Sequence, residues 1–132
     1  MLFKTTLTPR FYETDALGHI SNTALTAWFE VGRVRLLESL GAHGAQPVDW
    51  ILAAITMDFL EETFYGTDVD IVITALEAGN TSLNIKCEMH QNGRITVRGA
   101  AVMVHLDPAT KTKCRIPDAL RDAIRSLTRA PA

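Results

Sequence analysis

A single long helical pattern followed mainly by strand patterns restricts the fold of this chain more than any other feature. Residues 23–41 (TALTAWFEVGRVRLLESLG) carry apolar residues at helical spacing. At 100° per residue, these lie within about 60° of one direction: Leu25, Trp28, Phe29, Gly32, Leu36 and Leu40. Apolar residues also occur elsewhere around this helix, so we expect it to be buried on more than one side.

The segments around this helix have the composition or the alternation of strands. The predicted strands cover an N-terminal run from Leu2 to Phe11 and residues 50–60, 69–77, 82–91 and 94–106. Asn92-Gly93 is a strong two-residue hairpin signal, which predicts that the last three strands form an antiparallel meander. A second helix is predicted from Pro117 at its first position.

Local signals predict how the long helix begins, packs and ends. Asn22 is a favourable N-cap residue, and Gly41 is placed to end the helix in a left-handed turn. Gly32, in mid-helix, costs about 1 kcal/mol relative to alanine. We therefore expect another backbone to approach the helix there. Glu30 and Arg33 are three residues apart, which predicts an ion pair.

This order of elements predicts an α+β fold in which a curved, five-stranded antiparallel sheet wraps around one long helix. One helix cannot cover both faces of such a sheet, so its outer face must be solvated or meet another subunit. The last strand is apolar on both faces, which favours a second subunit. With 132 residues and 47% hydrophobic residues, the chain fits one domain, residues 1–132.

Composition excludes several classes of protein. The formal net charge of -2 disfavours nucleic-acid binding. The N-terminus does not resemble a signal peptide, and no stretch approaches the ~20 apolar residues of a membrane span. Two cysteines in unlike surroundings suit reduced thiols in the cytoplasm, and four scattered histidines lack metal-ligand spacing. We expect neither a metal nor a cofactor.

Residues 12–22 (YETDALGHISN), together with the helix that follows, resemble the hotdog-fold acyl-CoA thioesterases related to 4-hydroxybenzoyl-CoA thioesterase. The family pattern is Thr-Asp-x-x-Gly-His-Val-Asn-Asn, then an aromatic residue and Phe-Glu-x-x-Arg. Its matching residues here are Thr14, Asp15, Gly18, His19, Ile20, Asn22, Phe29, Glu30 and Arg33. Ser21 replaces the first asparagine, and Leu25 replaces the aromatic residue, which implies an altered acyl pocket.

The resemblance implies a cytoplasmic enzyme that hydrolyses an acyl-CoA to a free acid and CoA. Asp15 would be the catalytic carboxylate, as general base or as nucleophile, and the sequence leaves both open. Backbone N–H groups at the helix start, near Asn22 and Thr23, would stabilise the oxyanion. His19 would carry a proton, order the loop or contact substrate. In the local reading of the same residues, Asp15 only bonds its own turn and Gly18 supplies an unusual backbone angle.

The resemblance also implies a homo-oligomer, dimeric or tetrameric, that builds its sites at subunit interfaces. The residues predicted to bind substrate are Gly18, Ser21, Leu25, Glu61, Thr63 and Tyr65. We expect the last three to reach the site from a partner subunit. A basic C-terminal segment, residues 111–129, could meet the CoA phosphates, or could equally be a solvated helix face.

Two other functions fit the same residues. The first is hydrolysis of acyl groups carried on a carrier protein, which a preference for carrier-protein thioesters would reveal. The second is a non-catalytic acyl-CoA binding module, which would bind CoA esters without releasing thiol. A dehydratase of the same fold is disfavoured, since a His-Phe-Pro type of motif is missing.

Overall fold

Two helices and five strands make up the fold in the order β-α-β-β-β-β-α. The computed structural model describes residues 1–129. The elements are β1 (Phe3–Leu7), α1 (Asn22–Ser39), β2 (Trp50–Phe59), β3 (Val69–Ala78), β4 (Ser82–Gln91), β5 (Arg94–His105) and α2 (Asp118–Arg129). Every predicted element is present, and most of the bounds agree within one or two residues.

The five strands form one antiparallel sheet in the order β1-β3-β4-β5-β2. The predicted meander is confirmed: β3, β4 and β5 are neighbours, and Asn92 and Gly93 both have positive φ, 54° and 73°. Such a turn matches the right-handed twist of its strands. Bulges after Leu52 and Ile73 interrupt the register of β2 and β3 and bend both strands.

Helix α1 lies across the concave face of the sheet and forms the core with it. Phe29 and Leu36 of the helix are fully buried, as are Ile71 and Ile85 of the sheet. Burying each such side chain contributes roughly 1.5–3 kcal/mol. The curved sheet wrapped around one long helix confirms the predicted hotdog architecture.

Several local predictions about α1 and its surroundings were wrong. Ser21, not Asn22, is the N-cap: its side chain accepts from Ala24 N, and Asn22 is the first helical residue. Gly41 does not take the left-handed conformation. After Ser39 a short 3₁₀ turn extends the chain, and Gly44, with φ 96°, makes the left-handed turn instead. At the N-terminus, the strand that was predicted to reach Phe11 ends at Leu7.

Arg33 does not pair with Glu30 as predicted. Glu30 points to solvent, whereas Arg33 is 3% exposed and lies 4.5 Å over the ring of Phe29. Within residues 1–129 its Nε and Nη1 atoms have no hydrogen-bond partner. Burial lowers the pKa of this guanidinium. Two unpaired N–H groups on a buried cation are costly.

Candidate active site

Residues 14–20, here the Asp15 loop, form a tight hairpin directly before α1. Thr14 and Ile20 pair across its base. Inside the hairpin, Asp15 N donates to His19 O at 2.7 Å, and Gly18 N donates to Asp15 O at 3.1 Å. Gly18 has φ 80°, a conformation that confirms its predicted role in the turn. The sequence therefore fixes this loop locally.

The Asp15 carboxylate is exposed and partly used by its own loop. Its Oδ1 atom accepts from Leu17 N at 2.8 Å and from His19 N at 3.1 Å. The predicted local role is confirmed, but it occupies only one oxygen. Oδ2 has no hydrogen-bond partner in the part of the chain described, so it remains available for chemistry. The local hydrogen bonds of this side chain therefore use one oxygen and leave the other unpaired.

The first turn of α1 presents free backbone donors. Ser21 caps the helix twice, because its Oγ accepts from Ala24 N at 3.3 Å and its carbonyl accepts from Leu25 N at 3.1 Å. The N–H groups of Asn22 and Thr23 have no acceptor among residues 1–129. The helix dipole adds positive potential at this end. Two free donors and that potential make an anion-binding position.

The segment that connects β2 to β3, residues 60–68, holds the Asp15 loop from outside. Ile20 N donates to Thr63 O at 2.8 Å, and His19 pairs with Phe64. The His19 ring also meets the Phe64 ring edge-on at 5.1 Å, and its Nδ1 atom lies 3.0 Å from Glu62 Oε2. This connecting segment belongs to the same chain as the loop. The contact with Glu62 was not predicted, because no local pattern joins residues this far apart.

A cleft of about 460 Å³ opens beside the free donors of α1. It is lined by Ile20, Asn22, Leu25, Phe59, Leu60, Glu61, Glu62 and Thr63. The structure thus brings together four predicted site residues, Asn22, Leu25, Glu61 and Thr63. The hydroxyl of Thr63 is buried and has no hydrogen-bond partner in residues 1–129.

The other predicted site residues lie outside the lining of this cleft. Asp15, Gly18 and His19 belong to the adjoining loop, and Ser21 is occupied as the helix cap. Tyr65 contacts Phe11 instead, with ring centroids 5.9 Å apart. Both of these aromatic side chains are largely exposed.

Charge around the cleft is mainly acidic. Glu61 is 3.7 Å from Arg94, and Glu62 contacts His19. The basic C-terminal segment does not border the cleft within one chain. Arg121 binds Asn80 O beside the start of β4, whereas the connecting segment lies at the end of β4. Two arginines of the basic C-terminal segment also pair with aspartates close in sequence.

A second cleft, about 430 Å³, lies between β1 and α1 and contains Glu13. Both oxygens of this carboxylate are occupied, since Oε1 accepts from Arg10 N and Oε2 accepts from Trp28 Nε1 at 2.7 Å. Glu13 therefore anchors the base of the loop and has no free oxygen for catalysis.

Neither a metal cluster nor a membrane helix is found in the described residues. Residues 1–129 contain no group of three or more histidine, cysteine, aspartate or glutamate side chains that could hold a metal ion. Over the same range, neither helix is long and apolar enough to cross a membrane.

Comparison with known proteins links this geometry to thioesterases. Residues 9–124 match the family model of the thioesterase-like superfamily. A predicted thioesterase from Bacillus stearothermophilus is similar in structure with 34% identity, 98% of both chains covered and a TM-score of 0.86. No curated protein sequence matches significantly.

Two further solved structures share the fold at lower identity. One is a thioesterase from Thermus thermophilus in complex with coenzyme A and Zn, at 24% identity, with 98% and 96% of the chains covered and a TM-score of 0.86. The other is a DHNA-CoA thioesterase from Staphylococcus aureus, at 20% identity, with 94% and 91% covered and a TM-score of 0.78.

Proposed function

This chain belongs to the thioesterase-like superfamily, and we propose that it hydrolyses the thioester of an acyl-CoA to a free acid and CoA. One observation carries the proposal: a carboxylate with a free oxygen, Asp15, lies in the loop that leads directly into two free N–H donors, those of Asn22 and Thr23. Thioester hydrolysis needs these two parts, a base or nucleophile and an oxyanion site. The relative from Thermus thermophilus supports a CoA ligand, since it was solved with coenzyme A.

Asp15 Oδ2 would act on the carbonyl carbon in one of two ways. As a general base it takes a proton from water while the water oxygen bonds to the carbonyl carbon, which is worth about 10²–10⁴-fold in rate. As a nucleophile it bonds to that carbon itself, giving an acyl anhydride that water then hydrolyses. In either case the C–S bond breaks, and CoA leaves as a thiolate that takes up a proton.

The start of α1 would stabilise the negative charge on the carbonyl oxygen. An aimed donor is typically worth about 2.7–4 kcal/mol in the transition state. The dipole alone contributes at most about 2 kcal/mol. The two free N–H groups of Asn22 and Thr23 are therefore the larger part of this effect, and the dipole adds to them.

The lining of the cleft would hold the acyl group and the start of the CoA arm. Leu25 gives an apolar wall where the family has an aromatic residue, and Thr63 lines the cleft beside it. Glu61 and the Asn22 side chain line the same space. His19 would order the loop or carry a proton. Gly18 would set the shape of the Asp15 loop. Tyr65 would act at the outer edge of the site.

We further propose that the working form is a homo-oligomer, a dimer or a tetramer. Strand β2 is an edge strand, and Ile51, Leu52 and Phe59 on it are 50%, 43% and 45% exposed. An exposed apolar edge favours pairing with another chain. The buried Nε and Nη1 groups of Arg33 also lack an acceptor within residues 1–129. Sedimentation equilibrium tests this proposal, and a monomer at working concentration would refute it.

A cytoplasmic location is also proposed, because Cys87 and Cys114 are both free thiols. Fractionation of cells that express the protein would test this location. Recovery outside the cytoplasm would contradict it.

A broad panel of acyl-CoA esters, assayed by release of free thiol, tests the activity. We expect turnover on at least one ester. Tight binding of CoA esters without thiol release would favour the non-catalytic binding module. Clear preference for the same acyl group on a carrier protein would favour the carrier-protein thioesterase. Single-turnover hydrolysis in isotopically labelled water separates the two mechanisms. General-base catalysis puts the label only in the released acid, whereas an acyl anhydride that water opens at the Asp15 carbonyl carbon leaves the label in that residue.

A further inference from the structure

Gln91, the last residue of β4, uses its whole side-chain amide to hold the connecting segment. Its Oε1 atom accepts from Phe64 N at 2.9 Å. Its Nε2 atom donates to Phe64 O at 2.8 Å and to Thr67 O at 2.9 Å. The side chain is 1% exposed. Buried polar side chains are normally hydrogen-bonded, and these three bonds of Gln91 all go to the connecting segment. The side-chain amide therefore pairs with this segment as the backbone of a neighbouring strand would.

The segment that Gln91 holds also holds the Asp15 loop. Phe64 pairs with His19, and the carbonyl of the neighbouring Thr63 accepts from Ile20 N. Ile20 is the base of the loop that carries Asp15 and borders the cleft. A continuous series of hydrogen bonds and backbone pairs therefore runs from β4 to the loop of the proposed catalytic carboxylate.

The end of β4 is a rigid point of attachment. Gln91 is directly followed by the two-residue turn at Asn92 and Gly93 and pairs with Arg94 on β5. The same hairpin holds the front of the connecting segment, because Thr96 O accepts from Leu60 N and Glu61 N. A site supported by a strand pair keeps its geometry better than one supported by loops alone.

We propose that Gln91 is a positioning residue, whose amide fixes the connecting segment and, through it, both the Asp15 loop and the wall of the cleft. Gln91 itself touches no substrate in this scheme. The expected effect on kinetics rests on the proposed thioesterase function, whereas the structural coupling between Gln91 and the Asp15 loop does not.

The test compares Gln91→Met with a matched core variant, Ile116→Ala. Methionine is similar in length to glutamine and makes none of the three hydrogen bonds. Ile116 is fully buried and bonds to Asn80 beside the start of β4, about 30 Å along the strand from Gln91. Both variants lose stability, so they are assayed at a temperature where both are folded.

We expect Gln91→Met to lower kcat/KM by about 10²-fold, the usual effect of a displacement near 1 Å at a reacting group. The fall should include a rise in KM, because the cleft wall moves. Ile116→Ala should leave both constants close to wild type. Equal kinetics in the two variants would overturn the proposal. Gln91→Asn, one methylene shorter, should have the same effect if the methionine variant does not fold.

Hydrogen exchange separates this inference from the proposed function. In Gln91→Met, the amides of Ile20 and Phe64 should exchange roughly tenfold faster, while Ile116→Ala leaves them protected. Unchanged exchange at Ile20 would overturn the coupling whatever the enzyme does. If the wild type releases no thiol from any ester, the proposed function fails, and the exchange result still decides the coupling.

Discussion

Replacing Gly32 by alanine sets helix propensity against packing, and the structure decides which effect is larger. A Cβ atom built on Gly32 would lie 2.7 Å from Ile71 Cγ2. Favourable carbon contacts are about 3.5–4.0 Å, so the overlap is close to 1 Å. Ile71 is fully buried, and its Cγ2 methyl group branches directly from Cβ, so it cannot swing aside as the end of a long flexible side chain could. The expectation that another backbone approaches here was wrong, because the nearest group is this side chain.

The two contributions have opposite signs and different sizes. Alanine gains about 1 kcal/mol in helix propensity. Overpacking of a filled core costs about 1–3 kcal/mol, and an overlap this large belongs in the upper half of that range. We therefore expect Gly32→Ala to lower the free energy of unfolding by about 1–2 kcal/mol.

A double-mutant cycle with Ile71→Leu isolates the clash. Leucine has a similar volume but no methyl group at the Cγ2 position, so the alanine at residue 32 should be tolerated in its presence. We expect a coupling energy of about 1–2 kcal/mol, measured by urea unfolding at fixed protomer concentration. A more stable Gly32→Ala protein, or additivity within about 0.5 kcal/mol, would refute the reasoning.

Two further predictions concern ionisable side chains away from the cleft. Burial raises the pKa of the Cys87 thiol to about 12, so this thiol stays protonated and unreactive in the folded protein. A thiol reagent should therefore modify only the half-exposed Cys114, and rapid reaction of both thiols would contradict this. Hydrogen bonds from His90 and then Arg98 hold the pKa of the Glu88 carboxyl below its ordinary value, so its ionised form stabilises the folded state at neutral pH. Glu88→Gln should be less stable than wild type at pH 7. The difference should shrink as the pH falls from the ordinary carboxyl pKa through the lowered pKa of Glu88, and a constant difference in urea unfolding would argue against it.

The fold could be predicted from the sequence because its signals are local. Alternation in β4 and the Asn92-Gly93 turn determine a hairpin without reference to the rest of the chain. The start of α1 could not be predicted in the same way. Ser21 and Asn22 are both good caps, and the choice of Ser21 depends on its backbone N–H being held by the distant carbonyl of Glu13.

Local patterns predict the candidate site only where it is contiguous, whereas Glu61 and Thr63 were predicted through the family resemblance. The Asp15 loop follows from adjacent residues and closes on itself as expected. Glu62 and Gln91 act on it through contacts that span more than 25 residues, and no periodic pattern reports such contacts. Helical spacing pairs Arg33 with Glu30, but the direction of its side chain is set by Phe29 and the core beneath it.

The central claim is that Asp15 performs the chemistry, and the turnover of Asp15→Asn tests it most directly. Asparagine keeps an oxygen that can accept from Leu17 N and His19 N, so the loop should be preserved while the base or nucleophile is lost. Glu38→Gln, an exposed carboxylate on the far part of α1, is the control. Free-thiol release from the best acyl-CoA should fall by about 10²–10⁴-fold in Asp15→Asn and stay at the wild-type rate in the control. Wild-type turnover by folded Asp15→Asn would contradict the proposed mechanism.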